Sequence, residues 1–261
     1  MFDNTCKFLA ELYSPDFATW LLGEPITLTK LSPTELSLEP IRADALILLQ
    51  SDEVVLHIEF QTEPDKDMGF RMVDYYLRIY RRFPNKRIHQ VVIYLDQTKS
   101  EEVYKTTFTT SKLRHEFEVI RLWEQPSEIF LGTPGLLPFA VLSATNNKAS
   151  TLQQVAAAVD KINERRTQSN IAAATAILAG LVLEQEVIGR LLRKDIMRES
   201  VIYKSILTEG LEEGIELGSD RKAREIALNL LAEGMAVDAI ARLTGLSLEV
   251  VQELQQQQTN E

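Results

Sequence analysis

Two carboxylates, Asp44 and Glu59, are separated by a gap of fourteen residues, each on an apolar run of strand length. Asp44-Ala-Leu-Ile-Leu-Leu and Glu53-Val-Val-Leu-His-Ile-Glu-Phe read as two strands, split by the polar turn Gln50-Ser-Asp-Glu53. With Ser51 and Asp52 at the tip, Gln50 faces Glu53 and Asp44 faces Glu59. Directly opposed carboxylates lie about 5 Å apart at Cβ and repel. A divalent cation between them removes that cost, and Mg²⁺ takes one or two carboxylates together with water and phosphate oxygens. Period two sets Gln61 and His57 on the same strand face as Glu59. Glutamine can hydrogen-bond a water or a phosphate oxygen but carries no charge. The plainer alternative is that Asp44 merely begins a strand and Glu59 points to solvent.

Asp44, the gap, and then Glu59-Phe-Gln61 resemble the core motif of the PD-(D/E)xK nuclease superfamily. The chain resembles more closely the Rpn group of recombination-promoting nucleases, also described as transposases. The likeness takes in Phe2-Asp-Asn-Thr-Cys-Lys-Phe-Leu, Arg71-Met-Val-Asp-Tyr-Tyr-Leu-Arg-Ile-Tyr, Val119-Ile-Arg-Leu-Trp-Glu124 and Gly135-Leu-Leu-Pro138. It continues through Met197-Arg-Glu-Ser-Val-Ile-Tyr203 and Glu209-Gly-Leu-Glu-Glu-Gly-Ile-Glu-Leu-Gly218. The chain departs from the superfamily at Gln61, where most members have Lys, and at Ala43, where Pro is usual.

The resemblance implies an α/β fold: a restriction-endonuclease-like core with a mixed sheet flanked by helices, plus an α-helical C-terminal part. It implies a Mg²⁺-dependent endodeoxyribonuclease, with Mn²⁺ or Ca²⁺ as alternative ions, acting on DNA in recombination, mobile-element movement or defence. Asp44, Glu59 and the Phe60 carbonyl are then the metal ligands, and Asp44, Glu59 and Gln61 the catalytic set. A bound cation would lower the pKa of a water and stabilise charge on the phosphate. Glu11, on the first helix, is a further acid for the metal or else a surface glutamate. A rival reading is a catalytically weak or inactive nucleic-acid-binding or regulatory protein that keeps the fold. The Asp44/Glu59 pair favours the enzyme; the missing lysine and the acidic total favour the rival.

Charge qualifies the DNA reading. The 261-residue chain carries a formal charge of −10, although its 45% hydrophobic and 25% charged content is ordinary for a globular protein. Residues 71–90 concentrate six basic residues against the single acid Asp74. On a helix, Arg71, Tyr75, Arg78 and Arg82 form one stripe able to meet phosphates, and Phe70, Val73, Leu77 and Tyr80 an apolar stripe that packs on the sheet. The alternative is a solvated face whose arginines pair with carboxylates. The single cysteine, Cys6, excludes an internal disulfide framework. No secretory signal pattern opens the chain, and the apolar run Ile171 to Leu183 is too short to span a bilayer, so the expectation is a cytoplasmic protein without a membrane partner.

The elements that position these groups follow from patterning. Residues 5–22 read as an amphipathic helix broken at Pro15, 28–38 as a linking stretch, and 88–95 as a third buried strand. Thr106–Thr110 and Phe117–Leu122 are expected to extend the sheet. Four segments follow: a nuclease-like core over 1–135, a helical subdomain over 136–208, a glycine-spaced connector over 209–218, and a small helical module over 219–261. Gly210, Gly214 and Gly218 lower helix propensity, which predicts a flexible connector. In the last module, Ile240-Ala241, Gly245, Ser247 and Val251 have the spacing of a helix-turn-helix. However, residues 215–261 hold four Lys or Arg against eight Asp or Glu, and Ser247–Gln258 has no basic residue. Phosphates repel such a helix. The preferred expectation is therefore a packing module, with homo-oligomer formation through the C-terminal helices.

Overall fold

The structure, a computed structural model, describes residues 2–31, 46–197 and 199–259. It divides into two compact units, Met1–Lys204 and Ser205–Glu261. Two helices open the first unit, α1 (Phe2–Leu12) and α2 (Ser14–Leu22). The break falls at Tyr13, and Pro15 sits in the first turn of α2, where its missing N–H costs nothing.

A five-stranded mixed sheet follows in the order β1 (Thr29–Lys30), β2 (Leu46–Gln50), β3 (Val54–Gln61), β4 (Arg87–Tyr94), β7 (Glu118–Arg121). The first three strands are antiparallel neighbours; β3–β4 and β4–β7 are parallel. Helix α3 (Met68–Arg82) makes the crossover from β3 to β4 that a parallel pair requires. The linking stretch thus contributes a short edge strand. Thr107–Thr109 (β5) and Arg114–Glu116 (β6) do not extend the main sheet but form a separate antiparallel hairpin.

The β2–β3 register differs from the expected one. Leu46, not Asp44, is the partner of Glu59, and Gln50 pairs with Val55. Ser51 is the cause: its Oγ accepts from the Glu53 and Val54 amides, and its own amide donates to the Val54 carbonyl, which moves the turn tip to Asp52–Glu53. The expected pairing of Asp44 with Glu59 is therefore replaced, and Asp44 itself lies outside the described residues.

One sheet face carries Leu48, Val55, His57, Glu59, Gln90, Val92 and Tyr94 under α3. Met68 and Met72 pack on Val92 and Tyr94; Tyr75 and Ile79 pack on Leu48 and Val55. This differs from the expected packing of α3: Val73 is buried as expected, but Phe70, Leu77 and Tyr80 are exposed and Tyr75 is buried. The other face presents Phe60, whose ring stacks on Phe139 at 5.9 Å and meets Phe17 edge-on at 6.4 Å. Phe139 belongs to a run of 3-10 turns, Pro134–Leu142, that is buried almost throughout. A helical layer completes the unit: α4 (Glu128–Leu131), α5 (Lys148–Val159), α6 (Arg165–Ala179), α7 (Gln185–Leu191) and α8 (Lys194–Met197). The alanine-rich segment Ile171–Ala174 is buried in α6.

Helix α9 runs unbroken from Val201 to Ala232. The glycine-spaced residues 209–218 lie within this helix. The second unit continues with α10 (Val237–Thr244) and α11 (Leu248–Thr259), around the buried residues Ala227, Ile240, Val251 and Leu254. No helix among the described residues is long and apolar enough to cross a membrane.

Candidate active site around Glu59 and a C-terminal helix-turn-helix

Glu59 is fully buried near the C-terminal end of β3. Burying a carboxylate is costly without partners, and two residues supply them. Arg71, from the first turns of α3, donates Nη2–H to Glu59 Oε2 at 3.0 Å and Nη1–H to Asp65 Oδ2 at 2.9 Å. Burial pulls the Arg71 pKa down, but Glu59 and Asp65 outweigh it and hold the guanidinium above its ordinary value. His57 Nε2 lies 3.4 Å from Glu59 Oε1.

Behind His57 runs a polar chain that sequence spacing alone does not reveal. Gln90, on β4, donates Nε2–H to the Met72 carbonyl at 2.9 Å, which fixes its amide orientation. The same amide nitrogen faces His57 Nδ1 at 2.8 Å, so that ring nitrogen can only accept, and the His57 proton sits on Nε2 facing Glu59. Gln90 Oε1 accepts from His115 Nε2 at 2.7 Å. Burial and the neighbouring His57 hold the His115 pKa below its ordinary value. The β5–β6 hairpin is thereby joined to Glu59 through two histidines and one amide.

A second acid of α1, Asp3, lies in the electrostatic field of Glu59. Burial and the charge of Glu59 raise the Asp3 pKa, and Asp3 Oδ1 is buried without a hydrogen-bond partner. Glu11 pairs with Lys30 at 2.9 Å, roughly 12 Å along the helix from Asp3 at 1.5 Å per residue. The missed signal is the position of Asp3 on the first turn of α1, whose buried stripe carries Cys6, Leu9 and Ala10. Phe60 gives its side chain to the core. Gln61 is half-buried on the Glu59 side of the strand, with its carbonyl bonded to the Leu95 amide at 2.8 Å.

The donors fit a hard cation. Glu59 and Asp3 offer carboxylate oxygens only; one Asp3 oxygen is unused, and each Glu59 oxygen keeps a lone pair beyond its present bond. Among the described residues, no three His, Cys, Asp or Glu side chains are grouped as a metal cluster.

The expected phosphate-binding stripe divides. Arg71 is committed to Glu59 and Asp65, Tyr75 is buried edge-on to His57 at 5.3 Å, and Arg78 is paired with Asp74 at 3.0 Å. Arg82 is exposed. Asp65 also lines a cleft of about 400 Å³ together with Lys66, Glu102, Lys105, Phe108 and Phe117. Burial and the charges of Asp65 and Glu102 push Tyr94, beside it, up to about 12.

In the second unit, Gly245 adopts φ 76° after α10, a conformation other residues resist, and Ser247 Oγ caps α11 by accepting from the Val250 amide at 3.3 Å. Ile240 and Val251 meet in the buried core between the helices. The two helices and their turn have the geometry of a helix-turn-helix, as the residue spacing predicts. Nothing among the curated proteins and nothing among the solved structures matches the chain. Residues 221–257 match the family model described as "Rpn/YhgA-like nuclease family, C-terminal HTH domain", and this partial match links the chain, through its C-terminal module, to the broader Rpn/YhgA-like nuclease family.

Proposed function

We propose that the chain is a metal-dependent DNA endonuclease that hydrolyses phosphodiester bonds, serving recombination or mobile elements. The observation that carries this reading is a fully buried glutamate on a mixed sheet, with an unpartnered buried aspartate oxygen in its field and a glutamine two residues along. The family-model match to the C-terminal helices supports it independently. Glu59, Asp3, Asp44 and the Phe60 carbonyl are the proposed ligands of Mg²⁺, or of Mn²⁺ or Ca²⁺. When bound, the cation supplies an activated water and charge stabilisation at the phosphate. His57 and Arg71 hold the Glu59 carboxylate in one orientation. Arg71 provides a fixed positive charge beside the carboxylate in a site that lacks the superfamily lysine. Gln61 orients a water or a phosphate oxygen by hydrogen bonding. Arg81 and Arg82, the exposed arginines of α3, meet the DNA backbone, and the helix-turn-helix offers a second contact with DNA or with another copy of the chain.

One observation favours a different reading. Both Glu59 oxygens already accept from protein donors, as they would in a nuclease fold retained for binding or regulation. Plasmid nicking separates the two. The enzyme reading expects cleavage with Mg²⁺ or Mn²⁺, none in EDTA, and at least a hundredfold loss in Glu59→Gln, with Gln61→Lys at or above the parent rate. A purified parent that nicks equally in EDTA, or a Glu59→Gln variant as active as the parent, sinks it.

A further inference from the structure

We propose that the outward face of α3, continued onto the β5–β6 hairpin, is a stacking surface for single-stranded nucleic acid. Two rows of side chains on one helix carry this. Phe70, Leu77 and Tyr80 are 60%, 53% and 49% exposed, although the opposite side of α3 is buried on the sheet. The rings are organised: half-buried Tyr76 and exposed Tyr80 lie 6.2 Å apart with planes 7° from parallel. Tyr76 meets the His115 ring of β6 at 4.9 Å, and Phe70 meets Phe108 of β5 at 6.0 Å.

At 3.6 residues per turn, Phe70, Leu77 and Arg81 run along the middle of this face. Tyr76 and Tyr80 lie on one flank, Arg78 and Arg82 on the other. Arg78 is spoken for by Asp74. Arg81 and Arg82 are exposed and have no ion-pair partner among the described residues, and the same holds for Lys112 at the hairpin turn. On a chain of net charge −10 this is a basic island.

A single strand presents phosphates along one side and open base faces along the other, so a cationic row beside an aromatic row matches both. A duplex keeps its base faces stacked inside and leaves the aromatic row unused. A second copy of the chain fits less well, since a two-fold interface sets this same basic face against itself. The proposal deepens the proposed function and rests on its nucleic-acid substrate, though not on metal or hydrolysis.

The test is fluorescence anisotropy on the full-length protein in EDTA, with a labelled oligothymidylate and a duplex of equal length, across a salt series. The parent is expected to bind the single strand more tightly. Phe70→Ala and Tyr80→Ala should each weaken it about tenfold at every salt concentration with the salt slope unchanged, and Tyr80→Trp should keep parental affinity. Arg81→Ala with Arg82→Ala should instead flatten the slope by roughly 0.7 per lost contact. Phe70→Ala/Tyr80→Ala protein that binds like the parent, or a parent that prefers the duplex, overturns the proposal. So does a variant whose mass by light scattering falls by half while its single-strand affinity holds, because the face is then an interface between copies. A parent that binds single strands through these rings but never nicks plasmid supports this surface and removes only the nuclease reading.

Discussion

Glu59 shows how partners, not residue type, set the behaviour of a buried acid. Two facing carboxylates alone imply that deleting one relieves repulsion and leaves stability unchanged or raised. The environment found for Glu59 reverses the sign. Glu59→Ala strands a buried His57 Nε2–H and removes one of the two partners of Arg71. An unsatisfied buried donor costs about 1–3 kcal/mol. In EDTA, we expect a melting temperature several degrees below the parent by calorimetry. Asp3→Asn should move the other way. The Asp3 pKa is raised in the fold, chiefly by burial, so its favourable contribution is complete below the ordinary value of 3.8 and is lost as pH rises through the raised value. At neutral pH the variant escapes that loss and should melt higher. A Glu59→Ala protein at least as stable as the parent would show that the His57 and Arg71 contacts contribute nothing.

At the scale of elements, close approach is the controlling feature. The 3-10 run Pro134–Leu142 passes beside α2, where the Gly135 amide donates to Asp16 Oδ2 at 2.8 Å. A Cβ on Gly135 would overlap Tyr13 Cβ and that same carboxylate oxygen. Gly135→Ala should therefore displace Phe139 from Phe17 and Phe60, with a loss of about 2 kcal/mol or more, in the range of overpacking. Urea unfolding measures it; a midpoint within error of the parent would mean that the run shifts freely. Gly135 is present in the sequence motif, but its neighbours Tyr13 and Asp16 are more than a hundred residues away. Helix α3 teaches the same lesson. Its periodicity marks a helix, yet aromatic residues occupy both its faces, so periodicity does not choose the buried one. The sheet chose Tyr75 and Ile79 because Leu48 and Val55 lie beneath them.

At the scale of the molecule, the chain is a sheet unit and a helix-turn-helix unit joined through the sequence of α9. A chain ending at Lys204 keeps every described site residue. Under the proposed function it should keep the parent's metal-dependent nicking, and it should keep a cooperative melt. The removed unit exposes Leu243 and Leu248, and its last helix carries Glu249 and Glu253 without any Lys or Arg. We expect truncation to lower the mass seen by light scattering and to leave duplex affinity per protomer within about threefold. Truncated protein of parental mass that has lost duplex binding would assign that unit to DNA contact and not to self-association.

The sequence by itself determined which segments become β2, β3, β4 and α3, and which residues of β3 share a face. Alternation has period two, so sliding the β2–β3 pairing by two residues changes every partner and no face. Glu59, Gln61 and His57 therefore stay together despite the altered register. Turn spacing around Gly245 likewise marks the helix-turn-helix, because a left-handed residue there needs glycine. Only the tertiary structure decided what Glu59 meets. Arg71 arrives from the crossover helix, Asp3 from the first turn of the chain, and Gln90 from a parallel neighbour strand. Partners from separate elements depend on how helices dock on the sheet, and docking is set by shape and burial over the whole core, not by the spacing of residues along any one segment.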